Sequence, residues 1–576
     1  MRRRAVPNPL ALVLSSAALA FLMGAGGLTG QGLPRYDVTF TGGHVIDGAG
    51  NPWFRADVAV RDGRIVRIGD LGRHTADRTV DAQGLVVVPG FVDLHSHAGD
   101  EGRGNDGLTD PDPRYRAAPN LVAQGVTTLV ANQDGRSPWP IRTQRETMEA
   151  QGTGPNTLLL VGHGRLRSEV MGDDFRRPAR PEEVDRMRAL LRQGLEEGAF
   201  GMSAGHEYTP MIWSETEEVV ALAEEVAAAG GIYVVHERSS GAEPMWWWPS
   251  QDAPGAPSMI DAVLETIQVA ERTGVTAVQT HIKARGADFW GASATLVNLI
   301  GNARSRGVPI WADLYSYNTT GTDGSALLMP RWAVNDASYG SSPADRVETV
   351  LADPALAEKA RLDIGHEIRR RGGAENLLIL DHPDPAMVGR TLQSLTEEWE
   401  MPPVHAAIRL QTTGDRNAPG GARLRGFSLS EIDLRRFIRQ PWIASASDAG
   451  ITLPGDGFVH PRYYGNFPRR IKRYAIDEGL VPVEDAVRSM TSLPAQILGL
   501  RDRGLVREGF HADLVVMDLN ELEDRATALD PHQYPGGIPH VMVGGTFVVD
   551  NGELTWALPG TIVTRADRGS PPVSQP

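Results

Sequence analysis

The stretch PGFVDLHSH, residues 89–97, follows a short β-rich segment and decides how the rest of the chain is interpreted. Its apolar half predicts a buried strand. The two histidines at its end are two positions apart, so both rings point to the same face of that strand and can bind one cation. The spacing alone is weak evidence, because paired histidines on a strand are at least as often ordinary packed residues. Its position directly after a β unit is more specific.

Working outward from this stretch, short apolar strands alternate with helix-length segments, which is the pattern of repeated βα units and a parallel sheet. Eight strands are predicted, and eight is the number that closes a TIM-type (β/α)8 barrel. The predicted strands are 86–95, 127–134, 156–163, 200–207, 231–237, 276–283, 308–315 and 442–448. We therefore predict an α/β fold with a (β/α)8 barrel over residues 89–504.

Two further regions lie outside the βα pattern. The seventh and eighth predicted strands are separated by about 125 residues, too many for a plain loop, so we expect residues 316–440 to form a lid subdomain over the barrel mouth. Segments 37–88 and 505–565 contain short alternating runs with turn signals such as Asp62-Gly63. We expect these two segments to build one small β-sandwich domain from both termini.

Composition and the N-terminus limit the class of protein. The net charge is -15 and the acidic residues are spread along the chain, so no basic stripe is available for nucleic acid. The chain has no cysteine, which excludes disulfides and thiolate metal ligands. It begins Met-Arg-Arg-Arg and continues with an apolar run to about residue 24. This layout predicts a signal peptide over residues 1–30 and a secreted or periplasmic protein, because a membrane anchor needs roughly 20 apolar residues.

Polar and titratable residues recur where the predicted strands end, which is where active sites lie in TIM barrels. They include His95, His97, Asp134, His163, His236, His281 and Asp448. A single histidine there is more often a packed core residue than a ligand. Four histidines and an aspartate at one end of a barrel are hard to explain as packing, because each buried ring needs a polar partner. A divalent ion supplies that partner, and zinc suits imidazole and carboxylate ligands, with manganese, cobalt and nickel as alternatives.

Asp448 ends the last predicted strand, before a turn that contains Gly450. Beside a metal-bound water, a carboxylate can accept a proton and later deliver it to a leaving nitrogen. Without the histidines, a helix cap or an Asx turn would be the preferred interpretation.

Several sequence blocks point to one family. They are PGFVDLHSH (89–97), GVTT (125–128), GHGRLR (162–167), EGAFGMS (197–203), SD (447–448) and HPRYYGNFPR (460–469). With these blocks the chain resembles the amidohydrolase superfamily and, within it, the N-acyl-D-amino-acid deacylases, or D-aminoacylases. The resemblance runs over roughly residues 37–560, and its last block is the most diagnostic.

The resemblance implies one metal site formed by Asp134, His236 and His281 and a second, weaker site formed by His95, His97 and Asp448. It implies that Asp448 is the general acid and base. Substrate contacts are implied for four more residues: Arg462, which would bind the substrate carboxylate with two hydrogen bonds, Tyr315 and Lys283 beside it, and His163 behind the ligands. One or two zinc ions are therefore expected, with a small N-acyl amino acid as substrate.

The chain departs from the family pattern at two places. The deacylases usually have a cysteine where this chain has Asp134; a carboxylate can bind zinc and can bridge two ions, but it is a harder ligand than a thiolate. After His236 the chain carries three adjacent tryptophans, 246–248. We expect them either to form an aromatic wall for the substrate or to pack against the 316–440 insertion.

The function that follows is hydrolysis of a linear amide, with N-acyl-D-amino-acid deacylation first. Dipeptide hydrolysis and dihydroorotase-like or hydantoinase-like hydrolysis of cyclic amides are alternatives on the same site. Many such enzymes hold two metals with a carboxylated lysine, and no lysine lies near residues 203–206, where the fourth predicted strand ends. A secreted binding protein that has lost catalysis is the alternative from a different class. The complete set of four histidines and Asp448 argues against it.

Overall fold

The computed structural model describes residues 33–100, 104–321 and 326–569. Five strands come first along the chain: β1 (Arg35–Val45), β2 (Phe54–Arg61), β3 (Arg64–Gly69), β4 (Thr75–Asp81) and β5 (Val86–Pro89). β2 and β3 are joined by Asp62 and Gly63, whose φ angles are 51° and 70°. Positive φ at both positions is the geometry of a tight hairpin turn, which explains the Asp-Gly pair. The predicted signal peptide lies outside the described residues.

The barrel follows directly. Its first seven strands are β6 (Phe91–Asp93), β7 (Val126–Ala131), β8 (Asn156–Gly162), β9 (Gly201–Gly205), β10 (Ile232–His236), β11 (Thr276–Gln279) and β12 (Ile310–Leu314). The helices among them are α1 (Pro113–Arg116), α2 (Pro119–Val122), α3 (Ile141–Gln151), α4 (His163–Met171), α5 (Pro181–Glu196), α6 (Thr216–Ala228), α7 (Met259–Thr273) and α8 (Ser293–Ser305). Neighbouring strands pair in parallel throughout.

Alternate residues of the barrel strands face two different cores. Val234 packs with the apolar residues inside the barrel, whereas Tyr233 and Val235 pack under the surrounding helices. Because side chains alternate along a strand, His236 points to the same side as Val234, into the barrel. The strand pattern therefore places this ring on the barrel axis.

The insertion after β12 has its own core, formed by Leu328, Ile364, Leu377 and Leu410 among others. Its elements are α9 (Arg331–Asn335), α10 (Pro343–Ala352), α11 (Pro354–Arg370), β13 (Leu377–Asp381), α12 (Leu392–Glu398), α13 (Pro403–Thr413) and β14 (Arg423–Gly426). β13 and β14 pair in an antiparallel ladder. A core of its own explains how so long a connection folds between two barrel strands.

The chain then returns to the barrel and closes it. The elements are α14 (Glu431–Ile438), β15 (Ile443–Ser445), α15 (Arg462–Arg469), α16 (Val483–Ser489) and α17 (Ser492–Leu498). β15 pairs in parallel with β12. On its other side, the residues after β15 meet those after β6, where the Asp448 amide donates a hydrogen bond to the His95 carbonyl at 2.9 Å. The barrel is thus nearly closed, and its closing contact lies between two predicted metal ligands.

The last strands are β16 (Leu514–Met517), β17 (His540–Val543), β18 (Thr546–Asp550) and β19 (Glu553–Leu554). β16 pairs antiparallel with β5, so both ends of the chain form one nine-stranded sheet. The predicted fold class, a TIM-type barrel with a separate sheet domain, is confirmed. The sheet is mixed, because β1 pairs antiparallel with β2 but in parallel with β4 and β5.

The predicted strand 86–95 was wrong as a single strand. β5 belongs to the terminal sheet and β6 to the barrel, with Gly90 between them. A Cβ at Gly90 would overlap the side chain of Thr127, so only glycine lets the chain pass from one sheet to the other here. No helix among the residues that the structure describes is long and apolar enough to cross a membrane.

Candidate metal centre

Six predicted ligands meet at the carboxyl ends of five barrel strands. They follow or end β6 (His95 and His97), β7 (Asp134), β10 (His236), β11 (His281) and β15 (Asp448). All six are buried, and none is more than 6% exposed. A group of this kind, assembled from residues up to 353 positions apart, is what the carboxyl face of a TIM barrel provides.

Asp134 lies at the middle of the group. Its Oδ1 is 3.6 Å from His236 Nδ1, 3.6 Å from His281 Nε2 and 3.8 Å from His95 Nε2, while its Oδ2 is 3.6 Å from His97 Nε2. Asp134 Oδ1 is buried and has no hydrogen-bond partner among the described residues. Donor atoms at the corners of a tetrahedral zinc site lie about 3.3 Å apart, since each bond is about 2.0 Å long. The residues therefore fit a divalent ion.

Asp448 forms the second part of the centre. Its Oδ1 lies 3.2 Å from His97 Nε2 and 3.6 Å from His95 Nε2, and the two histidine Nε2 atoms are 3.4 Å apart. Two sets of three donor atoms can hold an ion, one made of His95, Asp134 and His281 and the other of His95, His97 and Asp448. The sequence assigned His95 to the second site alone, but the structure places its Nε2 within reach of both.

Each of three ligand rings has a hydrogen-bond partner on the nitrogen that faces away from the centre. His236 Nε2 lies 3.0 Å from Glu207 Oε2, His97 Nδ1 lies 2.9 Å from Asp100 Oδ2, and His95 Nδ1 lies 2.6 Å from Thr280 Oγ1. Such partners fix ring orientation and leave the other nitrogen free for a metal. Burial also holds the pKa of His95 well below its ordinary value, which favours the neutral ring that a metal needs.

The sequence analysis did not assign these supporting residues to the site. Glu207 carried the clearest signal, because it follows a predicted strand end beside His206. It is fully buried and is also held by Arg285, whose Nη2 lies 3.1 Å from Glu207 Oε1. Burial acts to raise the pKa of Glu207, but Arg285 and His236 outweigh it and lower the pKa. Glu207 is therefore an anion behind His236, a predicted metal ligand.

Three of the ligands have left-handed backbone conformations. The φ angles are 56° at Asp134, 36° at His281 and 50° at Asp448. A residue with a Cβ adopts this conformation at a cost of about 1–3 kcal/mol, and such residues concentrate at functional sites. Here the conformation turns the chain sharply after a strand, so that the side chain points back into the barrel mouth.

Three of the four predicted substrate-binding residues lie against the centre. Arg462, the first residue of α15, places Nη1 2.9 Å from Asp448 Oδ2, and its guanidinium lies 4.6 Å from the centre of the Tyr315 ring. Lys283 Nζ is 2.5 Å from His281 Nδ1 and 5.9 Å from the same Tyr315 ring. Burial acts to raise the pKa of Asp448, but Arg462 and His97 hold it well below its ordinary value. A cationic, aromatic group thus adjoins the metal ligands.

His163 lies in a different buried cluster. Its Nε2 is 2.7 Å from Glu218 Oε1, and Arg167 binds the other oxygen of the same carboxylate at 2.5 Å. Its ring packs against that of His206, 5.7 Å away. These contacts tie α4 to α6. The substrate-binding role behind the metal ligands that the resemblance implies for His163 stays a prediction.

The three adjacent tryptophans divide between two environments. The Trp247 ring packs against His366 of α11 at 5.2 Å, and Arg370 of α11 lies 5.5 Å from the centre of the Trp248 ring. Trp246 lines a separate cavity of about 350 Å³ that includes His206. Packing against the insertion, one of the two expectations, therefore describes two of the three rings.

Comparison with known proteins agrees with this geometry. The sequence profile of the amidohydrolase family matches residues 78–296 and 397–549. The chain belongs to the amidohydrolase family. This amidohydrolase is 32% identical over 539 residues to the N-acyl-D-glutamate deacylase of Alcaligenes xylosoxydans xylosoxydans, covering 89% of this chain and 94% of the relative. It is 31% identical to the D-aminoacylase of the same organism over 553 residues, 92% of this chain and 98% of that one.

A solved structure extends the comparison. The N-acyl-D-glutamate deacylase from Bordetella bronchiseptica, complexed with zinc and a phosphonate that mimics the tetrahedral intermediate of its reaction, superposes with a TM-score of 0.69. The two sequences are 29% identical, and the match covers 92% of this chain and 100% of the other. The family that the sequence blocks indicated is thereby confirmed for this amidohydrolase.

Proposed function

We propose that this amidohydrolase hydrolyses the amide bond of N-acyl-D-amino acids with the help of zinc. The observation that carries the proposal is the position of Asp448, whose Oδ1 faces His95 and His97 while its Oδ2 binds Arg462 at 2.9 Å. One carboxylate thus connects the metal ligands to a guanidinium suited to a substrate carboxylate. Three relatives, named N-acyl-D-glutamate deacylase, D-aminoacylase and N-acyl-D-aspartate deacylase, support the same substrate class.

The residues that would hold one or two divalent ions are Asp134, His236, His281, His95, His97 and Asp448. The unpartnered Asp134 oxygen and the inward-facing imidazole nitrogens are the donor set that zinc prefers. When bound, zinc supplies Lewis acidity toward the amide carbonyl and lowers the pKa of water. Because Asp134 presents its two oxygens to different histidines, it is suited to serve both positions.

The protein residues bind the substrate and move its proton. Arg462 binds the free carboxylate of the N-acyl amino acid, and the Tyr315 ring and Lys283 border it. Asp448 accepts a proton from a water molecule while the oxygen of that water bonds to the amide carbon. The carbon–nitrogen bond then breaks, and Asp448 returns the proton to the leaving nitrogen. The products are a carboxylate and a free D-amino acid.

We also propose that the protein is exported, with residues 1–30 as its signal peptide, on the basis of the arginine-led apolar run. The proposed division of the mature chain is a sheet domain from 37–88 and 505–565, a barrel from 89–504 and an insertion at 316–440. The continuous terminal sheet and the separate core of the insertion support this division.

The activity is tested with a substrate panel on protein of measured zinc content. The panel contains N-acetyl-D- and N-acetyl-L-amino acids, dipeptides and a hydantoin. We expect kcat/KM to be highest for N-acetyl-D-amino acids, to fall on chelation and to return with added zinc. Faster hydrolysis of the dipeptides or of the cyclic amide would transfer the proposal to that reaction. No hydrolysis by the zinc-loaded protein would refute an enzymatic role and favour a binding protein.

A further inference from the structure

A buried chain of three side chains leads from His95 to Asp313. His95 Nδ1 lies 2.6 Å from the hydroxyl of Thr280, and that hydroxyl lies 2.9 Å and 2.8 Å from the two oxygens of Asp313. None of the three residues has any exposed surface. Asp313, in β12, also accepts the backbone amide of His281 on Oδ1 at 2.6 Å. The Asp313 carboxylate therefore contacts two predicted metal ligands, His95 through the Thr280 hydroxyl and His281 through its backbone amide.

The number of protons available decides which group donates each of these hydrogen bonds. A carboxylate only accepts hydrogen bonds, and a threonine hydroxyl has a single proton, so Thr280 donates to Asp313. The Thr280 oxygen then accepts a hydrogen bond from His95, which requires the proton of the neutral imidazole to be on Nδ1. His95 Nε2 is left with its lone pair, pointing at Asp134 and Asp448. This is the form of the ring that binds a metal ion.

We propose that Asp313 is a positioning residue of the metal centre: acting through Thr280, it fixes the Nδ1-protonated form of His95, and through the His281 amide it holds the second ligand in its left-handed turn. The inference rests on the metal centre of the proposed function, but not on the substrate. Asp313 neither binds the ion nor contacts the reacting atoms. It acts on both ligand groups because β11 and β12 are neighbours in the barrel.

Asparagine at position 313 reverses this polarity. With its carbonyl oxygen at the Oδ1 position it still accepts the His281 amide, while its NH2 group, at the Oδ2 position, donates to Thr280. The Thr280 hydroxyl is then driven to donate to His95 Nδ1, which moves the ring proton to Nε2 and blocks the metal-binding lone pair. Thr280→Val only removes the partner and leaves both ring forms available. The two variants thus differ in the form of His95 that they impose.

Zinc binding without substrate tests the proposal. Zinc is titrated against a chromophoric chelator at pH 8, well above the ordinary pKa of an aspartate carboxyl. Loss of such a partner typically weakens metal affinity 10–100-fold, so we expect Thr280→Val to raise the dissociation constant of the weakest-bound ion by that factor. Thr280→Ser keeps the hydroxyl and should stay within about threefold of wild type. Asp313→Asn should lose at least as much affinity as Thr280→Val.

A matched control removes a similar hydroxyl elsewhere. Thr39→Val deletes a buried threonine hydroxyl of the terminal sheet, 3.1 Å from that of Thr79, and should bind zinc like wild type. Unfolding by urea is measured for every variant, so that a general loss of stability is recognised. Unchanged zinc affinity in Thr280→Val would overturn the proposal, as would equal losses in Thr280→Val and Thr280→Ser. A protein that binds zinc as expected but cleaves no N-acyl-D-amino acid would overturn the proposed function alone.

Discussion

Replacing Asp448 with asparagine separates its role as proton carrier from its place in the centre. Asparagine keeps the size of the side chain and a carbonyl oxygen, but it cannot take up a proton near neutral pH. A positioned general acid and base contributes about 10²–10⁴ in rate, so kcat should fall by that factor, or about 3–5 kcal/mol. Substrate binding should not weaken. Arg462 loses the anionic partner 2.9 Å away and becomes freer to bind the substrate carboxylate, so KM should stay equal or decrease.

The assay is steady-state hydrolysis of an N-acetyl-D-amino acid, with zinc measured on the same samples. Asp524→Asn is the matched control, because Asp524 is a buried carboxylate that binds Arg469 at 2.9 Å outside the centre. Its kcat should stay within a few fold of wild type. The reasoning on Asp448 is refuted if Asp448→Asn keeps more than a tenth of the wild-type kcat at full zinc content. If the variant instead loses its zinc, Asp448 acts mainly as a ligand.

Three further changes have defined outcomes. Arg462→Lys keeps the charge but not the planar pair of donors, so KM should rise at least tenfold with a smaller change in kcat; an unchanged KM in steady-state assays would exclude Arg462 from carboxylate binding. Burial lowers the pKa of His366 to about 4, so the neutral ring stabilises the fold above pH 6.5 and this stability is lost as the pH falls toward 4. Between pH 7.5 and 5 the loss is about 2 kcal/mol, and urea unfolding of His366→Gln should lack it. Gly465→Ala places a methyl group against the Asp524 carboxylate and the Tyr317 hydroxyl, which should cost about 1–3 kcal/mol in urea unfolding; wild-type stability would show that the segment around Asp524 yields easily.

The barrel, and the meeting of the six predicted ligands at its carboxyl end, could be predicted from short segments of the sequence. Each barrel strand is a short apolar run, so seven were found as separate strands and β6 as part of the predicted strand 86–95, and their order placed the residues after them at one end of the barrel. His236 is an example: its ring points inward because it shares the parity of Val234 along the strand.

Two of the supporting residues, Thr280 and Glu207, could not be predicted, because the rings that they contact are distant in sequence. Thr280 lies 185 residues from His95, and Glu207 lies 29 residues from His236. A threonine before a histidine and a glutamate after one are common in any chain, and only the register of neighbouring strands brings them to these rings. The break at Gly90 was missed for the same reason, since the side chain that it accommodates belongs to Thr127 on another strand.

The HSH motif, the easiest part of the site to see in the sequence, depends on residues that the sequence does not mark. His97 is held by Asp100, three residues away, but His95 takes its orientation from β11 and β12. A change at Thr280 or Asp313 would leave every ligand in place and still alter the ring form that the ion requires. Because His95 Nε2 faces both ligand groups, a change in the protonation of this one nitrogen would affect metal binding at both positions. The motif supplies two of the predicted ligands, and residues on and after the neighbouring strands decide which form of the His95 ring faces the proposed ions.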